Sequence, residues 1–407
     1  MSERTIIIGA GHAAGQCAAS LRRSGWEGEI LLIGEEAYPP YQRPPLSKAF
    51  LSGDVDADRL LFKPDAFYEK ENIDLKLSTA VHDINRERKT VALSSGEEVT
   101  YTKLVLATGA RVRKLPLPGA ELAGVGYLRD IADVDKLREK FKPCARISII
   151  GAGYIGLEVA AVAAKMGLEV TVLEAADRVL SRVTNQTVSE FFQKMHQANG
   201  VDIRLNAQVA GFAGNGEVER VLLNGNETID CDIALVGIGV LPNEEIAKEA
   251  GLAVDNGILV DEFTATDDAD IYAIGDCTRH PSGYLNGMLR LESVHNALEQ
   301  AKTAAAAICG KPVAYNEAPW FWSDQYEFKL QTVGIAVGRY DQEVIRGDQE
   351  KKSFSVFYLK NDQLVAVDSI NAPADHMVSR KLIANNTLID VAKLEDPDTN
   401  VKDLLSA

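Results

Sequence analysis

Two short glycine-rich phrases carry the first chemical signal in this sequence of 407 residues. TIIIGAGHAAG begins at residue 5 and ISIIGAGYIGL at residue 147, and in each the glycines directly follow an apolar run. A glycine turn that opens a helix lets backbone N–H groups approach a pyrophosphate, because no side chain intervenes and the helix N-terminus carries partial positive charge. The repeated phrase therefore predicts two dinucleotide-binding sites.

An acidic residue follows each phrase at the distance at which a ribose hydroxyl group is bound. In the first phrase Gly9, Gly11 and Ala14 occupy the three small positions, and Glu35 follows the next apolar run. A strand, a turn, a helix and an acid at this spacing are much more specific than a glycine triplet alone.

The second phrase has glycines at 151, 153 and 156 and ends its next apolar run on Glu174. A carboxylate about 4 Å from a 2'-phosphate costs on the order of 4 kcal/mol at an effective dielectric of about 20. We therefore expect NADH to be preferred over NADPH, although Arg178 and Arg182 follow closely enough to soften that preference.

Two dinucleotide sites do not require two nicotinamides. A hydride donor must be held against its acceptor, and flavin adenine dinucleotide is itself a dinucleotide. The sequence therefore predicts FAD in the first site and NADH in the second.

The elements that must position these sites alternate between strand and helix, which predicts a doubly wound α/β fold. We expect a proline-stiffened loop in AYPPYQRPPLSK and a strand pair at 89–93 and 104–107. From residue 318 the pattern changes, because SFSVFYLKNDQLVAVDSI reads as a hairpin and ADHMVSRKLIANN as an amphipathic helix. The predicted strands are 5–8, 29–34, 147–150, 169–173 and 269–277, and the predicted helices are 13–23, 155–166 and 186–199.

Composition excludes several classes of function. The net charge of -16 without a basic block argues against nucleic-acid binding. No apolar run approaches the roughly 20 residues of a membrane span and only MSER precedes the first strand, so we expect a soluble, cytoplasmic protein without a leader. The five cysteines form no C-x-x-C pair, so we expect no metal site and thiols that are buried or inert.

Further motifs identify a family. VLATGAR at 105–111, GIGVLPN at 237–243 and TDDADIYAIGDC at 266–277 resemble the two-dinucleotide-binding flavoprotein superfamily. YQRPPLSK, ESVHNALEQA at 292–301 and APWFWSDQYE at 318–327 are similar to NADH-dependent [2Fe-2S] ferredoxin reductases. The resemblance implies two Rossmann-like domains of the glutathione-reductase type and a C-terminal α+β domain. The implied boundaries are 1–110 with 241–317 for FAD, 111–240 for NADH and 318–407 for the C-terminal domain.

The same resemblance implies roles for individual residues. Asp276 would bind the ribityl chain, the N–H of Val294 would point to the pyrimidine end of the flavin, and Lys48 would lie beside the flavin and pair with Glu158 as the catalytic pair. The implied FAD contacts are Gly9, Gly11, Ala14, Glu35, Arg43, Lys48, Val81, Thr108, Gly109, Arg129, Asp276, Val294 and Trp320. The implied NADH contacts are Gly151, Gly153, Tyr154, Ile155, Gly156, Glu174, Arg182 and Gly239. His295 receives no role.

The chemistry that is missing narrows the function. Disulfide and peroxide reductases of this superfamily need cysteines, and residues 34–60 contain none; His376 stands without the acid–base partner of the glutathione-reductase type. We therefore expect the flavin to pass single electrons directly to a [2Fe-2S] ferredoxin that supplies a haem-thiolate or Rieske oxygenase. Docking would use Trp322, Arg290, Lys302 and Lys329.

Three alternatives stay open at this point. The acceptor could be rubredoxin, or it could be a quinone or organic radical. A redox sensor resembling apoptosis-inducing factor is the third. We expect a monomer or a weak homodimer.

Overall fold

The computed structural model describes residues 3–283, 287–396 and 398–406. The chain divides into two compact units, each built from separate stretches of sequence. The first consists of Met1–Arg43, Ala57–Arg111 and Val240–Pro319, and the second of Pro44–Asp56, Val112–Gly239 and Trp320–Ala407. Within the described residues no helix is long and apolar enough to cross a membrane.

A five-stranded parallel sheet forms the centre of the first unit. Its order is Ile271–Ala273, Lys103–Leu106, Arg4–Ile8, Glu29–Ile33 and Ile73–Lys76. The central strand is buried on both faces: one face packs against the helices His12–Ser24 and Val294–Ile308, and the other packs mainly against the strands Val81–Asn85, Thr90–Leu93 and Glu98–Thr100. The helices of this unit are His12–Ser24, Asp65–Lys70, Glu245–Glu249 and Val294–Ile308, with 3-10 turns at Ala57–Leu60 and Gly275–Cys277. Its other strands are Val81–Asn85, Thr90–Leu93, Glu98–Thr100, Ala110–Val112, Val240–Pro242, Ile258–Leu259, Thr278–Ser282 and Gly287–Leu289.

The second unit repeats the parallel architecture and adds an antiparallel sheet. The order of its parallel sheet is Asp202–Arg204, Glu169–Leu173, Arg146–Ile150, Ile233–Val236 and Val125–Gly126. The order of its antiparallel sheet is Trp320–Gln325, Phe328–Gly334, Gln363–Ile370, Ser353–Lys360 and Gln342–Asp348. Three further strands are Val209–Ala213, Arg220–Leu223 and Thr228–Asp230. The helices are Ala49–Ser52, Ile131–Lys140, Tyr154–Lys165, Gln186–Ala198, Pro373–Ala384 and Val391–Glu395, with 3-10 turns at Pro44–Ser47 and Val401–Ser406.

The predicted fold class is confirmed, since both Rossmann-like sheets and the C-terminal α+β region are present. The predicted strand pair at 89–93 and 104–107 is wrong. Thr90–Leu93 pairs with Glu98–Thr100 in an antiparallel sheet, whereas Lys103–Leu106 joins the parallel sheet beside Arg4–Ile8. The SSGEE turn is a hairpin turn of its own, and the apolar run after it is buried on both faces, which favours a central parallel strand.

Candidate functional site

The first glycine turn has the backbone geometry that its sequence predicts. Gly9 adopts φ +114°, and a Cβ there would lie 2.1 Å from the carbonyl oxygen of Ala107, so no other residue fits. At Gly11 a Cβ would have no described atom within 4 Å. The turn is therefore tight against the sheet and open in front of the helix that starts at His12.

The second turn has the same geometry. Gly151 adopts φ +105° with its Cβ position 2.5 Å from the carbonyl oxygen of Gly237. At Gly156 a Cβ would lie 2.1 Å from the oxygen of Gly151, whereas Gly153 faces space with no described atom within 4 Å. The helix Tyr154–Lys165 thus starts behind an open glycine turn.

Helix capping shows whether these openings suit a dinucleotide. Asp130, Asn185 and Ser293 each cap a helix by accepting a hydrogen bond from a backbone N–H. The helices after Gly11 and Gly153 have no side-chain cap in the described part of the chain. An anion in front of these two helix N-termini would be stabilised by their backbone N–H groups and dipole, and the pyrophosphates of FAD and NADH have that charge.

The two predicted ribose acids are held differently. Glu35 is exposed at the end of its strand, and its neighbour Glu36 instead accepts hydrogen bonds from Tyr41 at 2.6 Å and from Arg43. Glu174 accepts from the backbone N–H of Ala152 at 2.7 Å and of Ala176 at 2.9 Å. Only the second acid is fixed to its glycine loop.

Arg178 is bound within its own loop. Its guanidinium donates to the carbonyl oxygens of Ser181 and Thr184 and to the hydroxyl of Ser189, so it is committed to its own loop. Arg182 is exposed, and its guanidinium lies 3.6 Å from the Cβ position of Gly239. Both residues are predicted NADH contacts. The exposed Arg182 is better placed than Arg178 to reach a nucleotide, and its effect on the preference for NADH stays a prediction.

The motif residues of the first unit are tied together by hydrogen bonds. Thr108 Oγ1 donates to the carbonyl oxygen of Asn243 at 2.6 Å, and Asn243 Nδ2 donates back to the Thr108 carbonyl at 2.9 Å. The backbone N–H of Asn243 donates to the carbonyl oxygen of Gly109. VLATGAR and GIGVLPN therefore meet through an asparagine that the sequence reasoning did not single out.

A buried polar cluster supports the turn that carries Asp276. The N–H of Gly275 and the hydroxyl of Thr278 both donate to Gln300 Oε1, at 2.7 and 2.9 Å. Gln300 Nε2 lies 3.0 Å from His280 Nδ1, and burial lowers the pKa of His280 to about 4. The cluster fixes the turn against the helix Val294–Ile308, whose cap Ser293 accepts from the N–H of Asn296.

The predicted catalytic partners form an ion pair within the second unit. Lys48 Nζ lies 2.6 Å from Glu158 Oε2, and only 4% of the glutamate side chain is exposed. Ser47 donates to the same carboxylate oxygen, and Ser323 donates to Oε1 at 2.7 Å. Neither serine was predicted from the sequence. The role of the pair in catalysis stays a prediction.

Aromatic side chains gather at the start of the C-terminal sheet. Tyr154 stacks on Phe321 with ring centroids 4.5 Å apart, and Trp320 lies 5.6 Å from Trp322. The guanidinium of Arg380 lies over the ring of Trp320 at 5.1 Å. The predicted roles of Tyr154, Trp320 and Trp322 toward ligands stay predictions.

The predicted docking cations all have acidic neighbours. Arg290 pairs with Glu292 and Lys302 with Glu299, each at 2.6 Å. Lys329 pairs with Asp324 at the same distance. Each cation is thereby partly neutralised, which weakens the local positive field on which docking was predicted to depend.

The remaining predicted cofactor contacts lie at or near the starts of strands and helices. Val81 is half-buried at the start of Val81–Asn85, and Ile155 is 43% exposed in the first turn of its helix. The backbone N–H of Arg129 donates to Asp133 at 2.9 Å. His295, to which no role was given, is buried 3.8 Å from Glu317.

The cysteines give no redox or metal centre among the described residues. Cys17, Cys231 and Cys277 are buried, and burial raises the pKa of Cys17 to about 12. Cys144 is exposed, so for this thiol only the predicted inertness applies, and it stays a prediction. It lies at a tight turn with φ 65° between a helix and a strand, which keeps it at the surface.

Comparison with known proteins gives the family. The model of the pyridine nucleotide-disulphide oxidoreductase family matches residues 3–301, and the reductase C-terminal model matches residues 320–405. The chain belongs to the pyridine nucleotide-disulphide oxidoreductase family. It is an oxidoreductase whose cofactors are FAD and NADH, and the family assignment made from sequence motifs is confirmed.

Three characterised reductases show how far the likeness extends. Rhodocoxin reductase from Rhodococcus erythropolis is 43% identical over 98% of this chain and 93% of its own length. Putidaredoxin reductase CamA from Pseudomonas putida is 42% identical over 100% of this chain and 97% of its own. Rubredoxin-NAD(+) reductase from Pseudomonas putida is 42% identical over 90% of this chain and 96% of its own. The crystal structure of the covalent putidaredoxin reductase–putidaredoxin complex matches with TM-score 0.96 and 42% identity, over 99% of this chain and 98% of that one.

Proposed function

We propose that this protein takes a hydride from NADH onto FAD and passes single electrons to a [2Fe-2S] ferredoxin that supplies an oxygenase. The full-length likeness to putidaredoxin reductase, including the structure of its complex with putidaredoxin, carries the proposal. The lack of any cysteine at residues 34–60 supports it, because a thiol relay has no sulfur there. We place the reaction in the cytoplasm as part of the same proposal.

The chain's own residues would bind and orient the cofactors. The open turns at Gly11 and Gly153 would receive the two pyrophosphates, and Glu174 would accept a ribose hydroxyl of NADH. The bound flavin supplies the chemistry that converts a two-electron hydride into single electrons. Lys48 and Glu158 stay the predicted catalytic pair.

Electron transfer to carriers tests the proposal directly. The purified protein is reduced with NADH without oxygen in a stopped-flow instrument and is then mixed with a [2Fe-2S] ferredoxin and cytochrome c. We expect NADH to bleach the yellow absorbance and cytochrome c to be reduced only when ferredoxin is present. Reduction by NADH without transfer to any carrier would instead support the redox sensor.

Rubredoxin is the second candidate acceptor, because a rubredoxin-NAD(+) reductase is also 42% identical to this chain, although over 90% of it and not 100%. The same experiment separates the two when rubredoxin replaces the ferredoxin at equal concentration. A higher second-order rate constant with rubredoxin than with every ferredoxin tried would overturn the first choice.

Docking can be tested by reversing one charge. Lys329 is exposed on the C-terminal sheet and pairs with Asp324. In Lys329→Glu we expect slower ferredoxin reduction at low salt, because the new carboxylate would repel an acidic ferredoxin. Reduction of the protein by NADH should be unchanged. Lys70→Glu, the same charge change on a helix of the first unit, is the control.

A further inference from the structure

A chain of buried hydrogen bonds runs away from Glu158 into the second unit. Ser323 donates to Glu158 Oε1 at 2.7 Å, and Gln325 Nε2 donates to Ser323 Oγ at 3.1 Å. Gln325 Oε1 lies 2.8 Å from Nε2 of His196. All four residues are at least 96% buried, so this network is shielded from water.

Three different elements bring the network together. Ser323 and Gln325 stand two residues apart in the strand Trp320–Gln325, so their side chains share one face. Glu158 belongs to the helix Tyr154–Lys165, and His196 to the helix Gln186–Ala198. Polar residues on the buried face of a strand are costly unless they find partners, and here Ser323 and Gln325 both do.

The chemistry of the groups fixes the direction of every bond. An amide oxygen only accepts, so His196 Nε2 must carry a hydrogen and donate it to Gln325. The amide nitrogen of Gln325 only donates, so the Ser323 hydroxyl must accept from it and use its own hydrogen toward Glu158. All donors therefore point toward one carboxylate, which is the arrangement that stabilises a negative charge.

The histidine is held in one neutral form. Its Nδ1 is buried and has no hydrogen-bond partner within the described residues, so a proton there would be unpaired. Burial lowers the pKa of His196 to about 4. At neutral pH the ring is therefore the Nε2–H tautomer that the network requires.

We propose that Ser323, Gln325 and His196 are positioning residues that orient Glu158 and hold its charge against Lys48. The inference rests on the proposed role of the Lys48–Glu158 pair in the reductase reaction. It assigns to the C-terminal sheet a part in setting the catalytic pair, through hydrogen bonds and not through contact with the cofactors.

Nitrogen-15 NMR of the flavin-loaded protein, labelled at histidine, tests the network without using activity. We expect one ring, identified by its loss in His196→Gln, to stay the Nε2–H tautomer between about pH 5 and 8. In Glu158→Gln and Ser323→Ala its Nε2–H resonance should move, because the chain of donors is cut or loses its charged end. Ser323→Thr should keep the native position, since it retains the hydroxyl.

A matched control separates coupling from general disturbance of the sheet. Ser369 is also fully buried in this sheet and shares a hydrogen bond with Ser355 at 3.0 Å. Ser369→Ala should leave the His196 resonance where it is. A His196 resonance that is the same in Ser323→Ala and the native protein, or that moves equally in Ser369→Ala, would overturn the proposal.

Kinetics then tests the link to function separately. Hydride transfer from NADH should slow about tenfold in Ser323→Ala and in Gln325→Leu, with the affinity for NADH unchanged and with near-native rates in Ser323→Thr. If the resonance shifts appear but the rate does not change, the network stands and the proposed catalytic role of Lys48 and Glu158 fails. If neither changes, the positioning proposal fails.

Discussion

The two glycine-loop helices begin with the same phrase and rest on different supports. His12–Ser24 packs against Val294–Ile308 through fully buried small residues, among them Ala14, Ala18 and Ala301. Tyr154–Lys165 instead carries Glu158 into a buried polar network. The glycine phrase therefore determines the turn that would bind a dinucleotide. The residues packed behind each helix differ, and they give the second helix an additional polar network.

Buried charge shows the same contrast. Among the described residues the buried acidic side chains are Glu158 and Asp368, and both belong to the second unit. Asp368 accepts hydrogen bonds from Thr184 and from the hydroxyl of Tyr358, the latter at 2.7 Å. The unit that would bind the nicotinamide thus contains the buried acids, and in the unit that would bind the flavin the helices His12–Ser24 and Val294–Ile308 meet through small apolar residues.

Adding a methyl group to the tight turns should have the largest effect. In Gly9→Ala the new Cβ would lie 2.1 Å from a carbonyl oxygen, and in Gly151→Ala 2.5 Å, at φ values that alanine rarely adopts. We expect Gly9→Ala to purify without bound flavin. Gly151→Ala should keep its flavin and lose more than about a hundredfold in affinity for NADH. Absorbance spectra and NADH titration measure the two effects.

Glycines with the same backbone but open surroundings are the controls. Gly25 and Gly200 have φ values of +93° and +84° and no described atom within 4 Å of a Cβ. Gly25→Ala and Gly200→Ala should cost about 1 kcal/mol of stability each and leave both ligands bound. If Gly9→Ala retained its flavin as these controls do, the assignment of the first turn to FAD would be wrong.

The cradles could be predicted from the sequence because their constraints are local. A positive φ at Gly9 and Gly151 and the apolar strands before them depend on few neighbouring residues. The same is true of the C-terminal hairpin, whose alternating pattern indicated strands at Ser353–Lys360 and Gln363–Ile370.

The hydrogen bonds and packing behind the two glycine-loop helices could not be predicted, because they join residues far apart in sequence. Ser323 lies 165 residues from Glu158, and Gln325 lies 129 residues from His196. The available sequence signal was that Ser323 and Gln325 stand two residues apart in the apolar strand WFWSDQ. That spacing indicates a shared face of the strand, but it does not identify the residues that they contact. The strand Lys103–Leu106 was misassigned for the same reason, since its pairing partner Arg4–Ile8 begins the chain.

Replacing the buried carboxyl of Asp368 should give the second effect in size. Burial raises its pKa to about 6, so between about pH 4 and 6 the folded state binds a proton that the unfolded state has released. The free energy of unfolding therefore falls as pH rises through this window, by at most roughly 3 kcal/mol. Asp368→Asn lacks this loss, and its stability relative to the native protein should increase between pH 4 and pH 7.

Unfolding measured at several pH values checks this, with Asp362→Asn as the control. Asp362 is an exposed acid at the turn of the same hairpin. The free energy of unfolding of Asp362→Asn should therefore change with pH in the same way as that of the native protein. Burial lowers the pKa of His196, His280 and His376 to about 4, so their contribution to stability is lost as pH falls from about 6.5 to 4. They are present in every variant and cancel in the difference. Parallel curves for Asp368→Asn and the native protein would contradict the prediction.

The two ribose acids should respond unequally to truncation. Glu174 is held by two backbone N–H groups, whereas Glu35 is exposed. In Glu174→Ala we expect kcat/KM for NADH to fall at least about tenfold and that for NADPH to fall less, because a ribose hydrogen bond and a repulsive charge are removed together. Glu35→Ala should leave both values close to native. Equal losses for the two nucleotides in Glu174→Ala would show that this acid does not select NADH.

The smallest effect is expected at the third position of the first phrase, where the cradles differ by one methyl group. Ala14 is fully buried and its Cβ fits, whereas a Cβ at Gly156 would lie 2.1 Å from the oxygen of Gly151. The close approach in the first cradle occurs one residue later, since a Cβ at Gly15 would lie 2.8 Å from Pro40. Ala14→Gly should therefore cost only about 1 kcal/mol, from lost helix propensity and packing, and the flavin should stay bound. A thermal melt of the flavin-loaded protein measures this cost. Loss of the flavin in Ala14→Gly would mean that this methyl group helps to form the cradle and does more than pack behind it.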